Sequence, residues 1–189
     1  VPDEDGKLPR NEEGKLVVAA NMEHLVANTQ ANISCVQVPY FPGLNANDVS
    51  EMVDSFKHNG LEVHFIMMVG GADPMEISDE DAVVAMLVGA LNAAKEHGVE
   101  HVSSTSVEAW MQPDAQPKVG AEFEAAISQN VKVHTRAAQE ADVENSCIKA
   151  WHIEFLRGGE FQTFTSIEKI WKFVSAANEE MGRPFFKVM

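Results

Sequence analysis

Six short apolar runs, each parted from the next by an amphipathic stretch, leave this chain few ways to fold. The runs are LVVAA (16–20), NISCVQVPYFPG (32–43), LEVHFIMMVGG (61–71), VEHVSSTS (99–106), SCIKAWHIEFLRGG (146–159) and FFKVM (185–189). They are continuous rather than strictly alternating, as expected of parallel strands covered on both faces. The stretches between them carry helix punctuation. NDVSEMVDSFKHNG offers Asn47 or Asp48 as N-cap and Gly60 after its end. The segment from Ser78 to Gly98 leads with acids and ends Lys95–Glu96–His97, the order the helix dipole favours. Residues 121–142 read as a third helix, and Thr165–Ser166–Ile167–Glu168 as a capping box before a fourth. Residues 22–31 leave room for a short first helix.

Strands alternating with helices imply βαβ units and a parallel sheet. Two architectures fit, an open doubly wound sheet and a (βα)8 TIM barrel. The open sheet normally carries a glycine-rich phosphate turn after its first strand, and neither GxGxxG nor a Walker A motif occurs. The expectation is therefore an α/β TIM barrel. Such a barrel needs about 250 residues, and the chain has 189. The barrel is thus expected to be truncated after about six strands, spanning 15–189 behind a flexible lead-in over 1–14. An open six-stranded sheet is the competing architecture.

The formal charge of −15 repels phosphate backbones, so nucleic acid is not an expected partner. No apolar run nears the ~18 residues of a membrane span, so no membrane is expected either. Cys35 and Cys147 read as buried, reduced thiols, in keeping with a cytoplasmic protein.

In a barrel, chemistry sits at the C-terminal ends of the strands. Alternation puts Ile148, Ala150, His152 and Glu154 on one face of the fifth run. A carboxylate inside a barrel is costly unless it is paired or holds a cation, which singles out Glu154. His152, one layer lower, reads as a core histidine or as a group orienting that carboxylate. His64 and Ser104 lie on the third and fourth runs, and Ser104 suits a hydrogen bond to a substrate hydroxyl. Arg157 and Glu160 follow the fifth run. Trp110 and Trp171 read as packing residues.

WHIEFLRGGEFQTF, followed by an amphipathic helix and GRPFFKVM, resembles the central segment of the xylose-isomerase-like TIM barrels, a superfamily of sugar and sugar phosphate isomerases and epimerases that includes apurinic endonucleases. ISCVQVPYF and GLEVHFIMM resemble its second and third strands, so the likeness covers roughly residues 32–189. The resemblance implies that Glu154 is a metal ligand and proton carrier, with Glu160 contacting the sugar and His64, Ser104 and Arg157 near it. It implies a divalent metal (Mn, Mg or Co, with Zn in the endonuclease branch) whose other ligands would lie beyond Met189. It implies proton transfer through an enediolate on a sugar, sugar phosphate or cyclitol. Phe155 stands where the family usually has Pro, and Gly158–Gly159 replace bulkier residues. A barrel fragment without activity is the alternative, and the acidic charge disfavours the endonuclease. The open edges expected of a partial barrel suit a homodimer.

Overall fold

Five of the six apolar runs form strands, and the first does not. The computed structural model of the chain describes residues 2–189. The strands are β1 (Cys35–Tyr40), β2 (Glu62–Met67), β3 (His101–Ser104), β4 (Ala150–Ile153) and β5 (Phe186–Val188). The helices are α1 (Val17–Asn28), α2 (Ala46–His58), α3 (Glu80–Glu96), α4 (Ala121–Glu140) and α5 (Ile167–Met181).

LVVAA, expected as a strand, opens α1 instead. Apolar residues continue past it, and Leu16, Ala19, Met22 and Val26 recur at helical spacing and turn toward the core. Against that packing the strand preference of Val17 and Val18 is weak. The capping box before α5 does not form either. Ser166 is the N-cap and its hydroxyl donates to the Glu168 carboxylate at 2.8 Å, so the two side chains satisfy each other.

All strand pairs are parallel, and the sheet order β1-β2-β3-β4-β5 follows the sequence. A doubly wound sheet reverses its order at a switch point; this one never does, which removes the open doubly wound alternative. With right-handed crossovers, an unreversed order puts every helix on the same face. The other face rolls inward. The Gln37 Nε2 group on β1 reaches Met189 Sδ, just past β5, at 3.5 Å. In a flat sheet four strand spacings would hold those strands ~19 Å apart. The sheet is therefore an arc of a barrel wall.

The helix-side core is built around Trp151, Phe173 and Phe186, with His134 of α4 set among them. Residues 2–14, within the stretch 1–14 expected as a flexible lead-in, fold back on α2. The Leu8 amide donates to Asp48 Oδ2 at 2.8 Å, and the Arg10 guanidinium reaches Asp48 at 2.6 Å and Glu51 at 2.8 Å. Between this segment, α1 and β1 lies an apolar groove of about 600 Å³ lined by Leu8, Val17, Met22, Val38 and Phe41. Among the described residues no helix is long and apolar enough to cross a membrane. Both cysteines are free, and Cys35 is exposed rather than buried.

His134 is fully buried, and burial pushes its pKa down to about 4. The folded state therefore favours the neutral ring, whereas the unfolded chain takes up a proton near pH 6.5. Stability is whole above that pH and falls as pH drops from 6.5 toward 4, by roughly 3 kcal/mol from this group. In His134→Gln, urea unfolding at a series of pH values should show a flatter slope across that window than the parent.

Candidate functional site

The strand register fixes which expected residues share a level. His64 pairs with His101, which pairs with Ala150, while His152 pairs with Ser103. Trp151 faces the helices, so alternation turns His152 and Glu154 to the concave face. His64 lies level with Ala150 and hence four residues below Glu154, ~13 Å along the strand direction. It is not beside Glu154. Its Nε2 instead meets Glu62 Oε1 at 3.0 Å, and this bond holds the Glu62 carboxyl below its usual range.

His64, His101 and His152 form a stack on the concave face, with neighbouring ring centroids 5.0 and 5.4 Å apart. His101 Nδ1 and His152 Nε2 share a hydrogen bond of 3.1 Å. His152, expected to orient Glu154, is thus tied to His101. Burial, then the charges of His101, His64 and Lys187, push its pKa down.

Ser104 is turned the other way from what was expected. It is fully buried on the helix side, where its hydroxyl oxygen accepts from the Trp151 indole at 3.2 Å. The serine of this strand that shares the concave face is Ser103, and it too is buried, its hydroxyl 3.5 Å from the Phe65 carbonyl. One residue of register separates the two, and a one-residue step in a strand changes the face.

Glu154 follows β4 directly, its amide donating to the Ser104 carbonyl at 3.2 Å. Its carboxylate is half-buried, and among the described residues it makes no hydrogen bond or ion pair. Burial pushes its pKa up, and the charge of Glu160 adds to the rise. Glu160 comes back toward Glu154 through the turn at 157–160, where Gly159 sits at φ +99°, a backbone state that disfavours a side chain. Arg157 Nε pairs with Glu160 at 3.1 Å while its own side chain is largely exposed. Glu154, Glu160 and Arg157 therefore form one group at the strand end, and His64 and Ser104 stand outside it.

Two carboxylates that the sequence reading passed over hold this end of the sheet together. Glu108, in the loop after β3, is buried and accepts from the Thr163 amide at 2.9 Å and the Phe164 amide at 2.8 Å. Burial pushes its pKa up, and those amides hold back part of the rise. Asp73, after β2, accepts from the amides of Met75 at 2.9 Å and Ala109 at 3.2 Å. The Met111 amide donates to the Glu160 carbonyl at 2.9 Å. The loops after β2, β3 and β4 are thus bonded in series. Asp73 has a visible sequence signal, an Asp-Pro turn. Glu108 has none, because its partners are main-chain amides 55 and 56 residues away. Trp110, beside them, is exposed rather than packed, as is Trp171.

Among the described residues no group of three or more His, Cys, Asp and Glu converges to hold an ion. Glu154 is one ligand where a divalent cation takes several, so these residues do not by themselves fit a metal centre.

Removing Glu108 leaves two buried amides unbonded. Glu108→Ala should lower stability by about 3 kcal/mol, read by urea unfolding. Hydrogen exchange at the Phe164 amide should accelerate more than exchange in the β4 strand.

No protein-family model matches the chain, and no curated protein matches it. Solved structures do. D-psicose 3-epimerase with D-tagatose from Clostridium cellulolyticum H10 superposes with a TM-score of 0.67 at 12% identity, over 98% of this chain and 59% of that one. D-allulose 3-epimerase from Methylomonas sp. in complex with D-allulose gives 0.64 at 14% identity, over 89% and 55%. A sugar phosphate isomerase/epimerase from Anabaena variabilis ATCC 29413, described as putative, gives 0.64 at 15% identity, over 88% and 55%. The chain spans little more than half the length of these structures. Over five consecutive strands it has the parallel α/β fold of these TIM-barrel structures.

Proposed function

We propose that this protein is an isomerase or epimerase of a sugar, sugar phosphate or cyclitol, with Glu154 as its proton carrier. The observation that carries this reading is the state of that carboxylate. It is half-buried on the concave face at a strand's C-terminal end, without a partner among the described residues, and with its pKa raised. A raised carboxylate pKa brings a general base nearer to neutral pH, where proton transfer is most effective. Neighbours of the same fold that carry the names of 3-epimerases support the substrate class.

In this reading the Glu154 carboxylate takes the proton from the carbon next to a substrate carbonyl. The C–H electron pair forms the C=C of an enediolate, and the carbonyl oxygen takes up the charge. Return of the proton to the former carbonyl carbon, with the first carbon's hydroxyl hydrogen passing to the former carbonyl oxygen, gives the isomer. Delivery to the opposite face of the original carbon gives the epimer and requires a second acid, which the described residues do not place. Glu160, steadied by Arg157, is positioned to accept from a sugar hydroxyl. The resemblance implies a divalent cation, which Glu154 would help to hold and which would supply charge beside the carbonyl, so the assay is run with and without Mn²⁺.

A non-catalytic sugar-binding barrel is the second reading, favoured by the lack of a converging ligand set among the described residues. Incubation with D-fructose, D-allulose or D-tagatose and Mn²⁺ in D₂O separates the two. Catalysis is expected to place deuterium on the carbon beside the carbonyl, seen by NMR. Glu154→Gln should lower that exchange at least a hundredfold. It should leave the unfolding midpoint at pH 7 unchanged or higher. The raised pKa means that ionising Glu154 costs folding free energy as pH climbs past its unfolded value, and glutamine removes that cost. Exchange equal to the parent in Glu154→Gln would remove Glu154 from the mechanism, and binding without exchange in the parent would favour the second reading.

A further inference from the structure

Ser104 turns to the helices, so the concave face at the end of β3 belongs to the residue after it, Thr105. The ladder persists that far. The Glu154 amide donates to the Ser104 carbonyl at 3.2 Å, so the peptide joining Ser104 to Thr105 is still paired with the β4 strand. Ser103 pairs with His152 and Ser104 with Ile153, and the next pair in that register is Thr105 with Glu154. On the other flank His152 pairs with Lys187, and the Met189 amide donates to the Ile153 carbonyl at 2.9 Å. Met189 is therefore level with Glu154 on the β5 side. Glu154 stands between a thioether and a hydroxyl, and of those two neighbours only Thr105 can donate a hydrogen bond.

Thr105 is half-buried, and among the described residues its hydroxyl makes no hydrogen bond. The backbone on either side of it is fastened. Ser104 accepts from the Trp151 indole, the Val107 carbonyl accepts from Asn130 Nδ2 at 2.9 Å, and Glu108 holds the Thr163 and Phe164 amides. A side chain branched at Cβ is also stiff at χ1. The other polar side chains of this face are engaged elsewhere: Ser103 is buried against the Phe65 carbonyl, and His152 is bonded to His101. Parallel neighbours lie ~4.8 Å apart. Groups at that spacing are too distant to bond each other but can share one oxygen at ~2.8 Å from each.

We propose that Thr105 is a substrate-binding residue whose hydroxyl donates to the hydroxyl oxygen on the substrate carbon beside Glu154, and that it selects substrates bearing a hydroxyl there. The assignment rests on the sugar-handling role proposed above for Glu154 and Glu160. Thr105 and Glu160 then grip different oxygens of one sugar, and the carbon between them is presented to the Glu154 carboxylate. A substrate without that hydroxyl leaves Thr105 unpaired, and sites built to bond a hydroxyl reject analogues lacking it.

The test reads binding to the full chain and needs no turnover. The probe is whichever of D-fructose, D-allulose or D-tagatose the parent binds most tightly, and its titration should shift the Thr105 methyl signal in ¹³C NMR. Thr105→Val keeps the shape and removes the hydroxyl. It should weaken binding about tenfold while leaving the urea-unfolding midpoint close to that of the parent. Thr105→Ser restores the hydroxyl and should recover most of the affinity. Parent affinity in Thr105→Val, or equal weakness in Thr105→Val and Thr105→Ser, would overturn the assignment. Either result leaves the proton-carrier role of Glu154 standing, because that role is read separately by deuterium exchange in Glu154→Gln. Failure of the parent to bind all three sugars would overturn the assignment together with the reading beneath it.

Discussion

Every strand in this sheet runs parallel to the one before it, and that constraint organises the molecule. A parallel partner cannot be reached by a hairpin, so the chain must return through a crossover after each strand. When successive crossovers share a hand and the strand order never reverses, the helices collect on one side. The sheet then curls away from them, as the contact between Gln37 and Met189 records. Two surfaces of different chemistry result. The convex side buries Trp151, Phe173, Phe186 and the leucines and valines of the helices. The concave side carries Glu62, three stacked histidines and, at the strand end, Glu154. The C-terminal strand ends come together because all the strands point the same way.

Much of this was legible in the sequence, because period and punctuation are local properties. The five strands after LVVAA and the helices that follow them come from apolar runs bounded by glycine, proline and capping residues. The barrel over the open doubly wound sheet followed from a missing phosphate turn. LVVAA was misread because a five-residue window cannot tell a buried strand from the start of an amphipathic helix. Only the recurrence of Met22 and Val26 decides it. The placement of His64 and Ser104 relative to Glu154 is not legible for another reason. Their roles depend on register and on which face the pleat presents, and a single residue of offset inverts the answer. Glu108 could not be found at all, since its partners are main-chain amides brought close only by the fold.

The acidic composition makes the treatment of individual carboxylates informative. Asp48 is held by Arg10 and the Leu8 amide, and Glu80 by Arg136, Lys132 and Gln129. Asp73 and Glu108 are held by backbone amides, and Glu62 by His64. For all of these but the exposed Glu62, folding supplies donors where it withdraws water, as buried charge requires. Glu154 is the exception at the end of β4. Its surroundings raise its pKa through burial and through Glu160, and no side chain or amide among the described residues offsets that.

A carboxylate left this way lowers stability whenever it ionises, and a fold selected for stability alone would replace it. Perturbed, unpaired titratable groups are characteristic of sites where binding or chemistry supplies the missing partner. The surroundings of Glu154 favour that explanation over accident. The loop that follows it is fastened at Thr163 and Phe164 by Glu108 and at Glu160 by Met111. Relaxation of this loop to give Glu154 more water or a donor would break those bonds. The strain at one carboxylate is thus maintained by the satisfaction of another, a division expected where a group is kept reactive. A partner able to offset the charge of Glu154 has to bring a positive charge or a hydrogen to donate, and in the proposed reading the hydroxyl of a sugar does the latter.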